Sequence, residues 1–367
     1  MRSRWFAAVL ALSLFFLPGC SGGMMETYYE KSDGKIEKAI DNGLKYLADS
    51  QLESGAFPTW ITKAPELDGD GFYVKSVHIT SFIEYSLQFV KSGTSEKIRH
   101  SAMSFIMDEM VEPGIWSFYS ANSEELVRDG ATNCAVSFTI TPDLDCTAVA
   151  SFALLRNGIL RDTSFNEAEF YKNMNEQGLF YTWLHDYEEN HPAYGDVRHF
   201  SVDWNDICAG TNSNILLYLG DNDHTARLSS YLLGLVSGGD NVVDSPYYHS
   251  ELVFYYLYSR AYFNGASSLA EGRDIIIEAI LSEQQSDGSF GNPVETALAV
   301  CTLLNLGYWR EAVDKGINEI LARQGADGSW PKAAFFTSPD GYYYGSAELT
   351  TALCLEALSR YAILMRG

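Results

Sequence analysis

A short phrase is repeated along this chain, and it limits the possible folds more than any other feature. Gln324-Gly325-Ala326-Asp327-Gly328-Ser329-Trp330 restates Gln285-Ser286-Asp287-Gly288-Ser289-Phe290. Looser copies sit at Gln51…Gly55-Ala56-Phe57, Met110…Gly114-Ile115-Trp116 and Gln177-Gly178-Leu179-Phe180. Each time an amphipathic stretch runs in, a glycine two residues before an aromatic turns the chain, and a more apolar stretch runs out. A repeated helical hairpin cannot bury its apolar face alone, so the copies must stack on one another.

Following the phrase predicts six helix pairs. The first helices fall near 35–51, 95–110, 165–176, 223–236, 269–285 and 310–324, and the second near 78–91, 144–157, 205–219, 249–263, 294–306 and 347–363. The first set is striped: Ile36, Ile40, Leu44 and Leu47 recur at the spacing of a helix with one wet face. The second set is apolar nearly all round, as in Ala297-Leu298-Ala299-Val300-Cys301-Thr302-Leu303-Leu304. A helix that is apolar on every side needs neighbours on every side. An inner ring of apolar helices inside an outer ring of amphipathic ones meets both demands, which gives an all-α fold, an (α/α)6 toroid over 35–367. A solenoid would leave both helix types with an exposed edge. The turn of the fourth hairpin, Gly238-Gly239-Asp240, is degenerate. Long insertions at 59–77, 117–142 and 181–204 all follow glycine-aromatic turns and so should gather over one end, as pocket-forming loops do.

Polar residues line up at the inner-helix starts: His78, Asp145, Asp206, His249 with Glu251, Glu295 and Glu348. The phase is consistent, since Glu295 to Cys301 and Glu348 to Cys354 are equally spaced. A ring of carboxylates at an aromatic mouth suits acid catalysis, cation stabilisation or metal binding. Acidic residues in a first helical turn also complement the helix dipole and its free N–H groups, which assigns Glu251, Glu295 and Glu348 to the helices instead. Asn212-Ser213-Asn214 break an otherwise apolar inner helix and need partners, either a ligand or a neighbouring helix.

The N-terminus looks like an export signal and not part of the fold. Arg2 and Arg4 precede an apolar run from Trp5 to Leu17, which is too short to span a membrane. Leu17-Pro18-Gly19-Cys20 resembles the lipobox of bacterial lipoproteins. That resemblance implies a signal over 1–19, lipid on the Cys20 thiol, and a small, polar tether over 20–34 holding an exported protein to a membrane of the cell envelope. The formal charge of −23 becomes −25 without Arg2 and Arg4, so nucleic acid and anionic lipid surfaces are repelled. The five cysteines beyond Cys20 show no dense spacing, and most are expected as buried small residues on apolar helices.

Asp143-Leu144-Asp145-Cys146-Thr147-Ala148 is the sharpest string. It resembles the Asp-x-Asp-Asp-Thr-Ala acid motif of class II terpene cyclases and the Asp-Cys-Thr-Ala of oxidosqualene cyclases. The glycine-aromatic turns likewise resemble the QW repeats of those enzymes, so the likeness spans nearly the whole chain after the signal. It implies Asp145 as proton donor, Cys146 as its hydrogen-bond partner and Asp143 as an electrostatic neighbour. It also implies a small lipidic substrate, with aromatics such as Trp116, Trp183, Tyr247, Tyr248, Phe254 and Tyr255 stabilising a carbocation. Triterpene cyclases carry two toroids and act on substrates made at the cytoplasmic side, whereas this chain has one toroid and an export signal. The same string also reads as a helix N-cap at Asp143 or Asp145.

Asp206-Ile207-Cys208 followed by Tyr247-Tyr248-His249-Ser250 resembles the zinc ligands of protein prenyltransferase β subunits, with Asp206, Cys208 and His249 as ligands. Carboxylate, thiolate and imidazole make an open zinc site. The interval from Cys208 to His249 is shorter than in that family.

Three functions remain open from the sequence. One is acid chemistry on an isoprenoid or other lipidic substrate, with His78, Trp116, Asn212, Asn214, Tyr248, Glu295 and Glu348 at the mouth around Asp145. A second is a glycan-processing enzyme using Asp145, Asp206 and Glu295, by analogy of fold. The third is a non-catalytic lipid- or protein-binding module.

Overall fold

The computed structural model describes residues 22–120, 140–184, 203–238, 245–248 and 250–366. Cys20, Cys134 and His249 lie outside the described residues. Six inner helices form a closed ring: α2 (Val77–Leu87), α4 (Leu144–Arg156), α6 (Ala209–Leu219), α8 (Glu251–Phe263), α10 (Pro293–Asn305) and α12 (Ala347–Arg366). Each packs on the next, and α12 closes on α2. The outer layer is α1 (Gly22–Ser50), α3 (Gly93–Asp108), α5 (Glu167–Lys172), α7 (Ala226–Ser237), α9 (Arg273–Glu283) and α11 (Glu311–Ala322). The six hairpins and both helix types stand as expected. Every residue of α2 is buried, whereas α11 buries only a stripe including Val313, Ile317 and Ile320.

Some boundaries differ. Helix α1 begins at Gly22, so helix occupies the segment expected as a tether. The third outer helix was expected over 165–176 but stops at Lys172. There Asn175 turns its carboxamide on the N–H groups of Gln177 and Leu179, a local bond that competes with the helix.

The repeated phrase is a clamp. Its glycines all have positive φ: Gly55 at 92°, Gly114 at 81°, Gly178 at 80°, Gly288 at 93° and Gly328 at 92°. A Cβ on Gly328 would sit 2.4 Å from the Asn42 carbonyl oxygen, so the glycine also lets the neighbouring outer helix come close. The backbone N–H of each aromatic then donates to a polar side chain at the start of the following inner helix. These bonds are Phe57 to Thr80 (3.3 Å), Trp116 to Thr147 (3.2 Å), Phe180 to Asn212 (3.0 Å), Phe290 to Thr296 (3.1 Å) and Trp330 to Thr351 (3.1 Å). A glutamine amide completes the unit by bridging the turn to the next outer helix. Gln51 reaches the carbonyls of Gly55 and Ile98, and Gln324 those of Gly328 and Ala39. In the fifth hairpin that residue is Gln284, bonded to Gly288 and Ala312, and not the Gln285 of the written phrase.

The sequence showed little sign of strands, yet a small antiparallel sheet sits where the ring closes. Strands β1 (Pro58–Thr62), β2 (Gly71–Lys75), β3 (Phe336–Thr337) and β4 (Tyr343–Gly345) lie in the order β2-β1-β4-β3. Ile61 pairs with Tyr344, and Tyr344 with Phe336, so the first insertion is tied to the last hairpin's loop.

Contacts between like ends of the inner helices show that they run in one sense. His78 meets Cys146 at their starts, while Ser86 bonds Glu356 and Asn305 accepts from Arg360 toward their ends. The far end of the lumen holds buried charge. Glu356 pairs with Arg360 at 3.1 Å and accepts from Tyr256 and Ser86, both at 2.9 Å. The site lies at the other end.

Candidate active site

Asp143 is the N-cap of α4, with its Oδ1 accepting from the Cys146 N–H at 2.6 Å. The helix-cap reading therefore holds for Asp143. Asp145, on the first turn, enters a separate network. Its Oδ1 accepts from Asn214 Nδ2 of α6 at 2.6 Å, and its Oδ2 accepts from the Tyr248 hydroxyl ahead of α8. Asn214 also donates to the Tyr248 oxygen at 3.1 Å. Its own carbonyl oxygen accepts from Arg260 of α8. The Arg260 guanidinium is buried over the rings of Phe82 (4.3 Å) and Tyr85 (4.9 Å). Three inner helices thus contribute to holding one carboxylate.

Burial sets the electrostatics. It pushes the Asp143 carboxyl up to about 7, and the charge on Asp145 adds to the effect. Burial also drops His78 to about 4; Asp145 opposes that shift and Arg260 adds to it. His78 is therefore a neutral imidazole near pH 7. Its Nδ1 lies 3.4 Å from the Cys146 thiol, and its buried Nε2 has no hydrogen-bond partner among the described residues. Cys146 is held well above the ordinary thiol range by burial and by both carboxylates.

Asp143, Asp145, Cys146 and His78 line one cavity of about 90 Å³. Phe118, Tyr119, Ile140, Trp183, Tyr247, Phe336 and Tyr344 form its apolar and aromatic wall. Phe336 is wedged against His78 (4.6 Å between centroids), Tyr248 (5.1 Å) and Phe118 (6.0 Å). The insertions after the second and third turns do shape this wall, through Phe118 and Tyr119 and through Thr182 and Trp183.

No protein-family model matches the sequence, and no curated protein matches it. Solved structures do match. The type II terpene cyclase MstE from Scytonema aligns over 90% of this chain and 99% of its own, with a TM-score of 0.68 and 14% identity. Its complex with the substrate geranylgeranyl dihydroxybenzoate aligns over 91% and 99%, with a TM-score of 0.69 and 13% identity. The ent-copalyl diphosphate synthase from Streptomyces platensis aligns over 78% of this chain and 50% of its own, with a TM-score of 0.55 and 18% identity. The fold is the terpenoid-cyclase toroid.

Within this terpenoid-cyclase fold, the residues expected at the mouth separate into two groups. His78, Asp143, Asp145 and Cys146 meet at the cavity, with Asn214 and Tyr248 directly behind Asp145. The others are placed elsewhere. Trp116 is fully buried between α3 and α4, and its indole N–H donates to the Ile106 carbonyl at 2.7 Å, so it is core. Asn212 braces the third turn and bonds the backbone of Phe180 in both directions. Glu295 forms a capping box with Asn292 at the start of α10, and Glu348 accepts from Tyr46 at 3.2 Å. Phe254 and Tyr255 are buried in α8, away from the cavity wall. Wall and support residues missing from the sequence reading include Phe118, Tyr119, Phe336, Tyr344 and Arg260. Four come from loops or short strands with no helical period, and Arg260 ends a helix whose other residues read as core.

The expected zinc site includes His249, which lies outside the described residues; among the described ones no group of three candidate ligands converges. Asp206 accepts from Thr182 Oγ1 at 2.7 Å. Cys208 is the N-cap residue of α6, with its Sγ 2.9 Å from Ser245 Oγ, and burial pushes its thiol up to about 12. The remaining cysteines in view, Cys146, Cys301 and Cys354, are also free and buried, as expected. A glycosidase needs two carboxyls flanking the scissile bond. Of the three candidates, Asp145 lines the aromatic cavity, Asp206 accepts from Thr182 on the wall between that cavity and its neighbour, and Glu295 is engaged as a cap.

Proposed function

We propose that this chain uses the Asp143–Asp145 pair to protonate an alkene of an isoprenoid-type substrate and so start a class II cyclisation. One observation carries the reading. Asp145 is aimed into an aromatic cavity by Asn214 and Tyr248, beside a second carboxyl that burial keeps protonated up to about pH 7. Asp143 thus holds a proton near neutral pH beside Asp145, which gives the pair the proton the reaction needs. The fold shared with cyclases whose structures hold a geranylgeranyl substrate supports the same class.

In the reaction the acid O–H bond breaks and the alkene π pair takes the proton as a new C–H bond. A tertiary cation and a carboxylate remain. The π pair of a second alkene closes the ring, and loss of a proton to the carboxylate or to water restores neutrality. The product is an isomer of the substrate. Neighbouring rings such as Phe336, Trp183 and Phe118 offer π faces to the cation. A cavity of about 90 Å³ accepts one end of a prenyl chain, since pockets for whole drug-sized ligands run to about 300–1,000 Å³. Anchoring through Cys20 on an exported protein would bring the site to a membrane that supplies such lipids.

The test is incubation with farnesol, geranylgeraniol and squalene in deuterium oxide. A cyclised isomer carrying solvent deuterium, lost in Asp145→Asn, is the expected result. Turnover that survives in Asp145→Asn removes the acid assignment.

A further inference from the structure

A second cavity, of about 520 Å³, adjoins the first. It is lined by Asp203, Trp204, Asn205 and Asp206 with Pro246, and it shares Tyr247 and Pro339 with the first cavity. The two are also bonded together. Thr182, on the wall of the first, donates to Asp206 on the wall of the second at 2.7 Å, and Trp183 Nε1 donates to the Tyr247 hydroxyl at 3.0 Å. The character of the lining changes along this path. The inner cavity has an aromatic wall and is lined by His78, whose buried Nε2 has no hydrogen-bond partner among the described residues. The outer one offers carboxylates, an amide and an indole.

Charge decides what the outer cavity can take. Asp143, Asp145 and Asp340 line the first cavity, and Asp203 and Asp206 the second; among the described residues no lysine or arginine lines either. Carboxylates accept hydrogen bonds from hydroxyl groups and repel phosphate. We infer that the two cavities form one amphiphilic site for a prenyl chain ending in an uncharged, hydroxyl-bearing head, and that this site rejects prenyl diphosphates. The inference rests on the isoprenoid reading proposed above and adds the identity of the head. It sets this chain apart from a cyclase such as the copalyl diphosphate synthase, whose name specifies a diphosphate.

The test is a binding titration of the purified protein with geranylgeraniol and with geranylgeranyl diphosphate, followed through tryptophan fluorescence, with and without magnesium. The alcohol should bind more tightly by roughly tenfold or more, because like charges brought together at a binding surface are strongly penalised. Asp203→Asn, at an exposed position, should narrow the gap, and Asp203→Asn with Asp206→Asn should narrow it further by strengthening diphosphate binding. Circular dichroism checks that both variants stay folded. Diphosphate binding as tight as the alcohol's in either buffer overturns the inference, and so does a gap that the double substitution leaves unchanged. The alcohol preference without any turnover supports the inference and removes the acid assignment. Failure of both ligands to bind overturns the isoprenoid reading and this inference together.

Discussion

Asn214 donates to Asp145 at 2.6 Å and so ties α6 to the start of α4 inside the lumen. The direction of this bond is set from behind. Arg260 donates to the Asn214 carbonyl oxygen, which leaves the amide N–H groups for Asp145 and Tyr248. In such a buried chain, each bond that is made is costly to break, because the low dielectric penalises a polar group left without its partner.

Replacing Asn214 by Leu should therefore cost about 1–3 kcal/mol, because an Asp145 oxygen and an Arg260 N–H lose their partner. Combined with Arg260→Met, the effects should be non-additive by about 0.5–3 kcal/mol. Urea unfolding of both single variants and the double variant checks this. Simple additivity would show that the two residues act separately.

Asp145→Asn keeps the side-chain shape and an oxygen that can accept from Tyr248. Turnover should fall by about 10²–10⁴-fold, the range for loss of a general acid, with only a small change in melting temperature. Asp143→Asn should leave more activity and remove the decline in rate expected above about pH 7. Rate–pH profiles of the two variants provide the comparison.

Stability should also report the two shifted groups. Asp143 goes from 3.8 to about 7 on folding, so the native chain keeps a proton that the unfolded chain releases. Its contribution to stability therefore falls as pH rises across that window. His78 goes from 6.5 to about 4, so its contribution falls as pH drops between those values. The two slopes oppose each other between pH 4 and 6.5. Asp143→Asn removes one and retains a good helix cap. The variant should gain on the native chain as pH rises toward 7, by at most about 1.4 kcal/mol per pH unit. A difference independent of pH, measured by urea midpoints, would reject the raised carboxyl.

Gly328→Ala tests the clamp. It meets both a φ of 92° and the Asn42 carbonyl at 2.4 Å, whereas Gly307 has a φ of 72° and nothing within 4 Å of its added Cβ. Gly307→Ala should cost about 1–2 kcal/mol for the left-handed backbone alone, and Gly328→Ala clearly more. Equal losses would show that the close approach of α1 carries no energy.

Phe336→Ala should enlarge the cavity at the cost of about 3–5 kcal/mol of stability. If the ring limits what enters, the variant should accept a bulkier alkene terminus than the native chain. Competition between two prenyl alcohols of different termini measures it, and an unchanged ratio would separate Phe336 from substrate selection.

Much of the architecture was written in local pattern. The glycine-aromatic phrase marked five of the six turns because each needs positive φ and a close neighbour, and both requirements select glycine. Hydropathy separated α10 from α11 because one is surrounded and the other half wet. Asp145 stood out through its string, His78 by its place at a helix start, and Tyr248 as one of the aromatics the resemblance implied. Trp116 is the aromatic of its own turn and packs under α4 as the repeat requires, whereas Trp183 lies three residues past Phe180 and only the path of its loop brings it to the cavity.

The sequence by itself therefore determined six hairpins, their inner and outer members, and the end of the ring where the acid stands. These depend on spacing along one helix or turn. Which polar residues meet was decided by the closed ring. Asn212 and Asn214 are two residues apart, yet about 100° per residue turns them to different sides of α6. One braces the Phe180 turn and the other holds Asp145. Phe336 and the four-stranded sheet reach the site because α12 packs on α2 and brings the last loop back over the first, and Arg260 reaches it because α8 packs on α6. Contacts between such distant segments leave no period to read, since each partner's side chain is explained only by the other.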